Sequence, residues 1–300
     1  MISTLRKLIR AQMPEPIEKG DEEHHEDRPV HKLMLRKASL VLYAISLAAI
    51  IAWEAAEIAA PSGSEGKPVT VELSRGPFTF REFQPQKMET RAVILFGSGD
   101  GGWSGFEEAI CRSLQSHGYR VIGIDSKEYA ETDYDLAILQ ADFGMMAQTA
   151  EAVYRNHPLP LIVGGWSMGA AQAIAVAGGP HPPPGLAGLL LLDPCSRGRY
   201  GLRFSDQSNV LPTGPGTFGV EEFVKTMGNL HVVQWHAAED SIDSRAWLDS
   251  LTAPHKEFDF AQTGHYYNND RADFLTQLVD TVPWILSSPP NNVTTIGGAR

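Results

Sequence analysis

The chain has 300 residues, 43% of them hydrophobic, with 25 Lys and Arg against 36 Asp and Glu and a formal net charge of −11. Length and composition suit one large folded domain with appendages, and the acidic balance excludes a nucleic-acid partner, which needs a basic stripe. Residues 1–37 hold eight basic and seven acidic side chains, so the excess acid belongs to the remainder, where solubility explains it more simply than attraction of a cationic substrate.

Residues 1–37 read as a cytoplasmic or leader tail. Its Gly20–Arg28 block is solvated charge, and His24-His25 has no further ligands nearby. Ala38–Trp53 comes next as sixteen residues without a charge, preceded by Arg36-Lys37 and succeeded by Glu54 and Glu57. A bilayer takes about 20 residues, a length reached by continuing to Ala60. Residues 38–60 therefore read either as an uncleaved signal-anchor or as a signal peptide starting at Met34, with a buried core helix as the third reading. Both membrane readings export the chain from residue 61 onward and leave the basic flank in the cytoplasm.

Residues 61–90 comprise a Pro/Gly/Ser linker and an edge hairpin, Val69 to Leu73 and Phe78 to Phe83, turning at Arg75-Gly-Pro. From Arg91 to Leu286 apolar strands alternate with helical stretches. Strands are expected at Ala92 to Phe96, Arg120 to Ile124, Leu159 to Gly164, Leu186 to Leu192, His231 to His236 and Glu257 to Ala261. Helices are expected at Phe106 to Gly118, Leu136 to Arg155, from Ala170 onward, Ile242 to Leu251 and Asp270 to Leu286. Strands apolar on both faces require a mostly parallel central sheet with helices on both faces, here with an N-terminal antiparallel hairpin: an α/β architecture. Residues 194–229 break the rhythm as an insertion over the sheet's carboxyl edge, and residues 287–300 form a Pro/Asn/Gly tail expected to be disordered. The two cysteines, Cys111 and Cys195, fit no disulfide framework or metal motif, and two isolated buried thiols are favoured over a bridge.

The chemistry centres on Gly165-Trp-Ser-Met-Gly169, a G-x-S-x-G between a strand and a helix. This is the spelling of a nucleophile elbow, a turn so sharp that glycines must flank the serine. Ser167 is the candidate nucleophile, and the Met168 amide the first oxyanion donor. Partners come in the order Ser, acid, His, each after a strand's carboxyl end. His265, in Thr263-Gly-His-Tyr-Tyr267, is the base. Asp240 is chosen as the acid over Asp243 and Glu239 because it lies soon after its strand, in a turn. The second oxyanion amide comes from the loop Gly97-Ser-Gly-Asp-Gly-Gly-Trp103 and is assigned to Asp100, with Gly99 as runner-up. Gly99, Trp103 and Trp166 are the substrate-binding candidates. The glycine-rich loop matches neither the dinucleotide fingerprint nor the P-loop, and no metal or organic cofactor is implied.

Ser98-Gly-Asp-Gly-Gly-Trp103, Gly123-Ile-Asp-Ser126 with Tyr129, the Trp-Ser-x-Gly-Ala elbow and the late Gly-His-Tyr together resemble the bacterial virulence proteins VirJ and AcvB, over roughly residues 91–286. The resemblance implies an exported α/β-hydrolase at the inner membrane of Gram-negative bacteria, associated with virulence, type IV secretion and hydrolysis of lysyl-phosphatidylglycerol. By position, Ser167 is similar to the family nucleophile, Asp240 to its acid and His265 to its base. Met168, Ala171 and Ala130 depart from the residues that the family pattern leads one to expect. The expected function is ester hydrolysis by Ser-His-Asp chemistry on an aminoacylated lipid at a membrane surface. The alternatives are a general esterase, lipase or thioesterase, and a non-catalytic scaffold among secretion-system components.

Overall fold

A computed structural model describes residues 66–86, 88–152, 158–207, 211–240, 245–261, 263–269 and 271–287. The leader tail, the apolar segment 38–60 and the tail beyond Ser287 lie outside the described residues, as does Asp243. Among the described residues no helix is long and apolar enough to cross a membrane.

The strands form where the sequence is continuously apolar. β1 (Lys67–Leu73) and β2 (Gly76–Phe83) make the hairpin, and β3 (Ala92–Gly97), β4 (Tyr119–Ile124), β5 (Leu161–Trp166) and β6 (Leu186–Leu192) are buried at every position. β7 (Arg197–Arg199) and β8 (Thr217–Gly219) form a separate antiparallel pair within the insertion. β9 (His231–Ala237) and β10 (His255–Phe260) complete an eight-stranded sheet ordered β1-β2-β4-β3-β5-β6-β9-β10. The β1–β2 and β2–β4 pairings are antiparallel and the rest parallel.

Successive side chains of a strand point to opposite faces, and each face has its own core. Val93, Leu95, Ile122 and Val163 pack under α3 (Leu136–Glu151) and α4 (Met168–Gly178). Ile94, Phe96, Val121 and Ile162 pack under α1 (Gly105–Ser116) and α5 (Arg271–Ile285). Both layers carry the helices that the alternating pattern requires. A short α2 (Ser126–Tyr129), too brief for periodicity to reveal, is capped by the Asp125 carboxylate.

Two expectations need correction. The stretch Ile242 to Leu251 is not an α-helix: its described part is the 3-10 turn Arg245–Ser250, tied to β10 by Arg245 and Asp259 at 2.6 Å. The thiols are not both buried. Cys111 is sealed on the buried face of α1, but Cys195 is half-buried at the carboxyl edge, and neither is in a disulfide.

Polar ties hold the hairpin to the parallel core. Arg120 on β4 pairs with Glu82 on β2, both almost wholly buried, and its guanidinium also reaches the Ala150 carbonyl at 2.6 Å. Asp142, fully buried on α3, accepts from the Ser74 amide at 2.8 Å and the Tyr129 hydroxyl at 2.8 Å. Charges can be buried only when paired in this way. Here the pairing aligns the antiparallel edge with the parallel strands.

Candidate active site

Open α/β sheets place ligands outside the carboxyl ends of their strands, where strand order reverses. β3 is such a point, since the chain passes from β3 to β4 on one side and then crosses back over to β5 on the other. The loops after β3, β5, β6, β9 and β10 converge on this edge.

Ser167 leaves β5 with φ 54° and ψ −115°, a conformation that L-residues avoid, and begins α4 without capping it by its own side chain. The Ser167 amide donates to the Leu192 carbonyl at 2.9 Å, which anchors the turn to β6. Strain of this kind persists only when its surroundings enforce it, and the flanking residues show how. A Cβ on Gly169 would lie 2.4 Å from the Gly97 carbonyl oxygen, and one on Gly165 2.6 Å from the Gly169 carbonyl carbon. Only glycine lets α4 start this close to β3.

The His265 ring sits beside that turn. Its Nδ1 is 2.5 Å from Asp240 Oδ2, and the Asp240 side chain is only 2% exposed. Burial alone would lower the imidazole pKa, but the hydrogen bond and charge of Asp240, with Asp193 and Asp100 behind them, outweigh it and leave the ring above the ordinary histidine value. The neighbouring Glu239 is exposed to solvent. The Trp166 indole Nε1 donates to the His265 carbonyl at 3.0 Å and its ring packs on the imidazole with centroids 4.7 Å apart. Trp166 therefore ties the strand before Ser167 to the loop that carries His265.

A cavity of about 250 Å³ opens above these groups, lined by Ser167, His265, Trp166, Met168 and Asp100 on the sheet side. Met168 and Asp100 are also the assigned oxyanion donors, and among the described residues neither backbone N–H has a protein acceptor. The insertion supplies the opposite wall with Arg197, Arg199, Leu202 and Leu211. Arg199 is locked to Asp206 at 2.8 Å and to the Pro215 and Thr213 carbonyls. Arg197 is exposed, and its contact with Thr217 Oγ1 is 3.4 Å long, so its charge faces the cavity and solvent.

Two of the residues expected to bind substrate are elsewhere. Trp103 lies flat on Gly123, where a Cβ would come within 2.1 Å of the indole, between the Phe83 ring and the Arg81 guanidinium. Its amide donates to Asp125 Oδ2, and the Ser126 amide donates to Ser98 Oγ at 2.9 Å. The two motifs Ser98–Trp103 and Gly123–Ser126 are thus one unit that holds the glycine-rich loop rigid, and Trp103 buttresses the loop instead of meeting a ligand. Gly99 packs on the Trp166 ring, with no room for a side chain. Glu107 closes the loop from beneath: it forms a capping box with Ser104, and burial pushes its carboxyl up against the pull of Ser104 and the Gly99 backbone.

Three residues at the site escaped sequence reasoning. Cys195 Sγ lies 3.5 Å from Ser167 Oγ. Tyr266, half exposed, packs on Trp166 at the cavity mouth. Asp193, fully buried, directly follows β6. An Asp directly after the apolar run Leu186 to Leu192 carries the same signal as the other strand-end residues, but its place at the threshold of the insertion masks it.

Residues 91–177 match the family described as Bacterial virulence protein (VirJ). The chain is also similar to Protein phosphatase methylesterase 1 of Homo sapiens, 29% identical over 133 residues, covering 42% of this chain and 33% of that protein. The match spans about a third of the curated relative's length. Among solved structures, the esterase domain from a Rhodothermus marinus protein superposes with a TM-score of 0.56 at 20% identity, covering 74% of this chain and 98% of that one. Thermogutta terrifontis esterase 2 gives 0.54 at 14% identity, covering 76% and 98%. The protein has the α/β-hydrolase fold, and the stretch that matches the VirJ family model, residues 91–177, spans the strand, the Ser167 turn and the helix after it.

Proposed function

We propose that the protein is a serine hydrolase of carboxylic esters. The observation that carries this reading is the strained Ser167 turn on the same cavity as an imidazole held at 2.5 Å by a buried carboxylate. Ser167 attacks the ester carbonyl while His265 takes its proton, and Asp240 fixes the ring tautomer and stabilises the imidazolium. The amides of Met168 and Asp100 receive the oxyanion, a contribution worth about 10²–10³ in rate per donor. The alcohol leaves with the proton from His265, and water attacks the acyl-enzyme by the same route. Ser167→Ala should abolish labelling by a fluorophosphonate probe; undiminished labelling would sink the reading.

We infer further that the ester is an aminoacylated phospholipid such as lysyl-phosphatidylglycerol. The cavity supports this by presenting two charges of opposite sign, the Asp100 carboxylate beside the nucleophile and the Arg197 guanidinium across from it. An aminoacyl phospholipid carries an ammonium group and a phosphate on either side of its ester. Vesicles containing lysyl-phosphatidylglycerol should release free lysine with the wild type and not with Ser167→Ala. The likeness to a methylesterase favours a second reading, a general carboxylesterase. Hydrolysis of p-nitrophenyl acetate without lysine release would select it. The apolar segment 38–60 supports export, with the domain in the periplasm, anchored to the inner membrane or released there, in reach of lipid and of secretion-system components.

A further inference from the structure

The carboxyl edge holds a second acid that the Ser167, His265 and Asp240 relay does not use. Asp193 is completely buried and adopts φ 39° directly after β6. Its amide donates to the Trp235 carbonyl at 3.0 Å, and its carboxylate accepts from the Ala237 amide at 3.0 and 3.3 Å. His236 Nδ1 lies 3.0 Å from Asp193 Oδ1. One carboxylate oxygen of Asp193, one of Asp240 and one ring nitrogen of His265 all lie within 4.8 Å of one another.

Two buried carboxylates this close repel each other, and burial removes the water that would screen them. The arrangement is poorly suited to the resting state with a neutral imidazole. It suits the moment when His265 has taken the serine proton, because both negative charges then face a cation. An interaction that strengthens only in the transition state raises the rate of the chemical step. We propose that Asp193 is a positioning residue of the same relay, a second buried carboxylate that steadies the His265 imidazolium together with Asp240. This rests on the hydrolase reading. The charged and titratable groups facing His265 are Asp240 from the loop after β9, Asp193 from the end of β6, Asp100 from the loop after β3, and Tyr266 beside it, and His236 faces Asp193 from β9. The electrostatic pull of Asp193 raises the His265 pKa in concert with Asp240.

Asp193→Asn isolates the charge. Asparagine tolerates positive φ and still offers an oxygen to the Ala237 amide, so the turn is retained. With p-nitrophenyl acetate as the substrate, the acidic limb of kcat/KM should move to lower pH in Asp193→Asn, because His265 loses one charge that favours its protonated form. Asp240→Ala should lose about 10–10²-fold in kcat, whereas removing the only acid of such a relay costs about 10⁴-fold. The double variant should fall to the Ser167→Ala background. An unmoved pH profile in Asp193→Asn, or an Asp240→Ala variant already at that background, would overturn the proposal. If Asp193→Asn does not fold, as judged by circular dichroism, the residual activity of Asp240→Ala decides alone. Activity of Ser167→Ala equal to wild type would overturn the hydrolase reading instead.

Discussion

At the scale of single residues, the site depends on atoms that are missing as much as on those present. Gly169 has no Cβ because Gly97 and Ser98 carbonyl oxygens occupy its place, at 2.4 and 2.7 Å. Gly169→Ala must push α4 away from β3, and overpacking of this kind costs about 1–3 kcal/mol. We expect a lower urea midpoint together with a loss of fluorophosphonate labelling larger than the loss of folded protein. His265 gives a pH dependence with a definite sign. The base acts only when neutral, and its pKa is raised, so kcat/KM should climb with pH through an ionisation above the ordinary histidine value of about 6.5. A limb centred below that value would contradict the Asp240 contact. Cys195 offers a third test at this scale. Its thiol lies 3.5 Å from Ser167 Oγ on the cavity wall, whereas Cys111 is sealed in the core and burial pushes its thiol up. Treatment with N-ethylmaleimide should block the cavity and slow serine labelling, and Cys195→Ala should remove that sensitivity while Cys111→Ala does not.

At the scale of elements, the antiparallel hairpin and the parallel core meet at one buried ion pair. Glu82→Ala removes the carboxylate that Arg120 pairs with between β2, β4 and the end of α3, and breaking a buried pair of this kind costs about 3–5 kcal/mol. Urea unfolding should show this as a shifted midpoint with an unchanged slope. Much of this level was legible in advance. Apolar runs such as Ile94-Leu95-Phe96 and Leu189-Leu190-Leu191 can be buried only as strands covered on both faces, and the elements adhere to that pattern closely. The 3-10 turn at Arg245–Ser250 was not legible, because Trp247 and Leu248 stand four and three residues before Leu251, a helical spacing that mimics an amphipathic helix. Their burial comes from packing against the insertion, a contact that local periodicity does not contain.

At the scale of the whole molecule, the basic flank Arg36-Lys37 and the apolar segment 38–60 predict export. Expressed in a Gram-negative host, the full chain should be accessible to protease added to spheroplasts. A full-length mass in the membrane fraction means an anchor, a mass shortened to a point after Ala55 means a cleaved signal, and complete protection would refute export altogether. The sequence by itself determined the elbow, the order Ser167, Asp240, His265, the glycine-rich loop and the alternating layers, because turn geometry and hydrophobic period are properties of neighbours along the chain. Only the tertiary structure decided that Trp103 supports a loop, that Trp166 clamps the His265 loop, and that Asp193, Cys195 and Arg197 face the same cavity or relay. Those residues meet because parallel strands with crossover helices bring loops far apart in sequence to one edge. Which side chains meet there is set by strand order and register, which no short stretch of the chain contains.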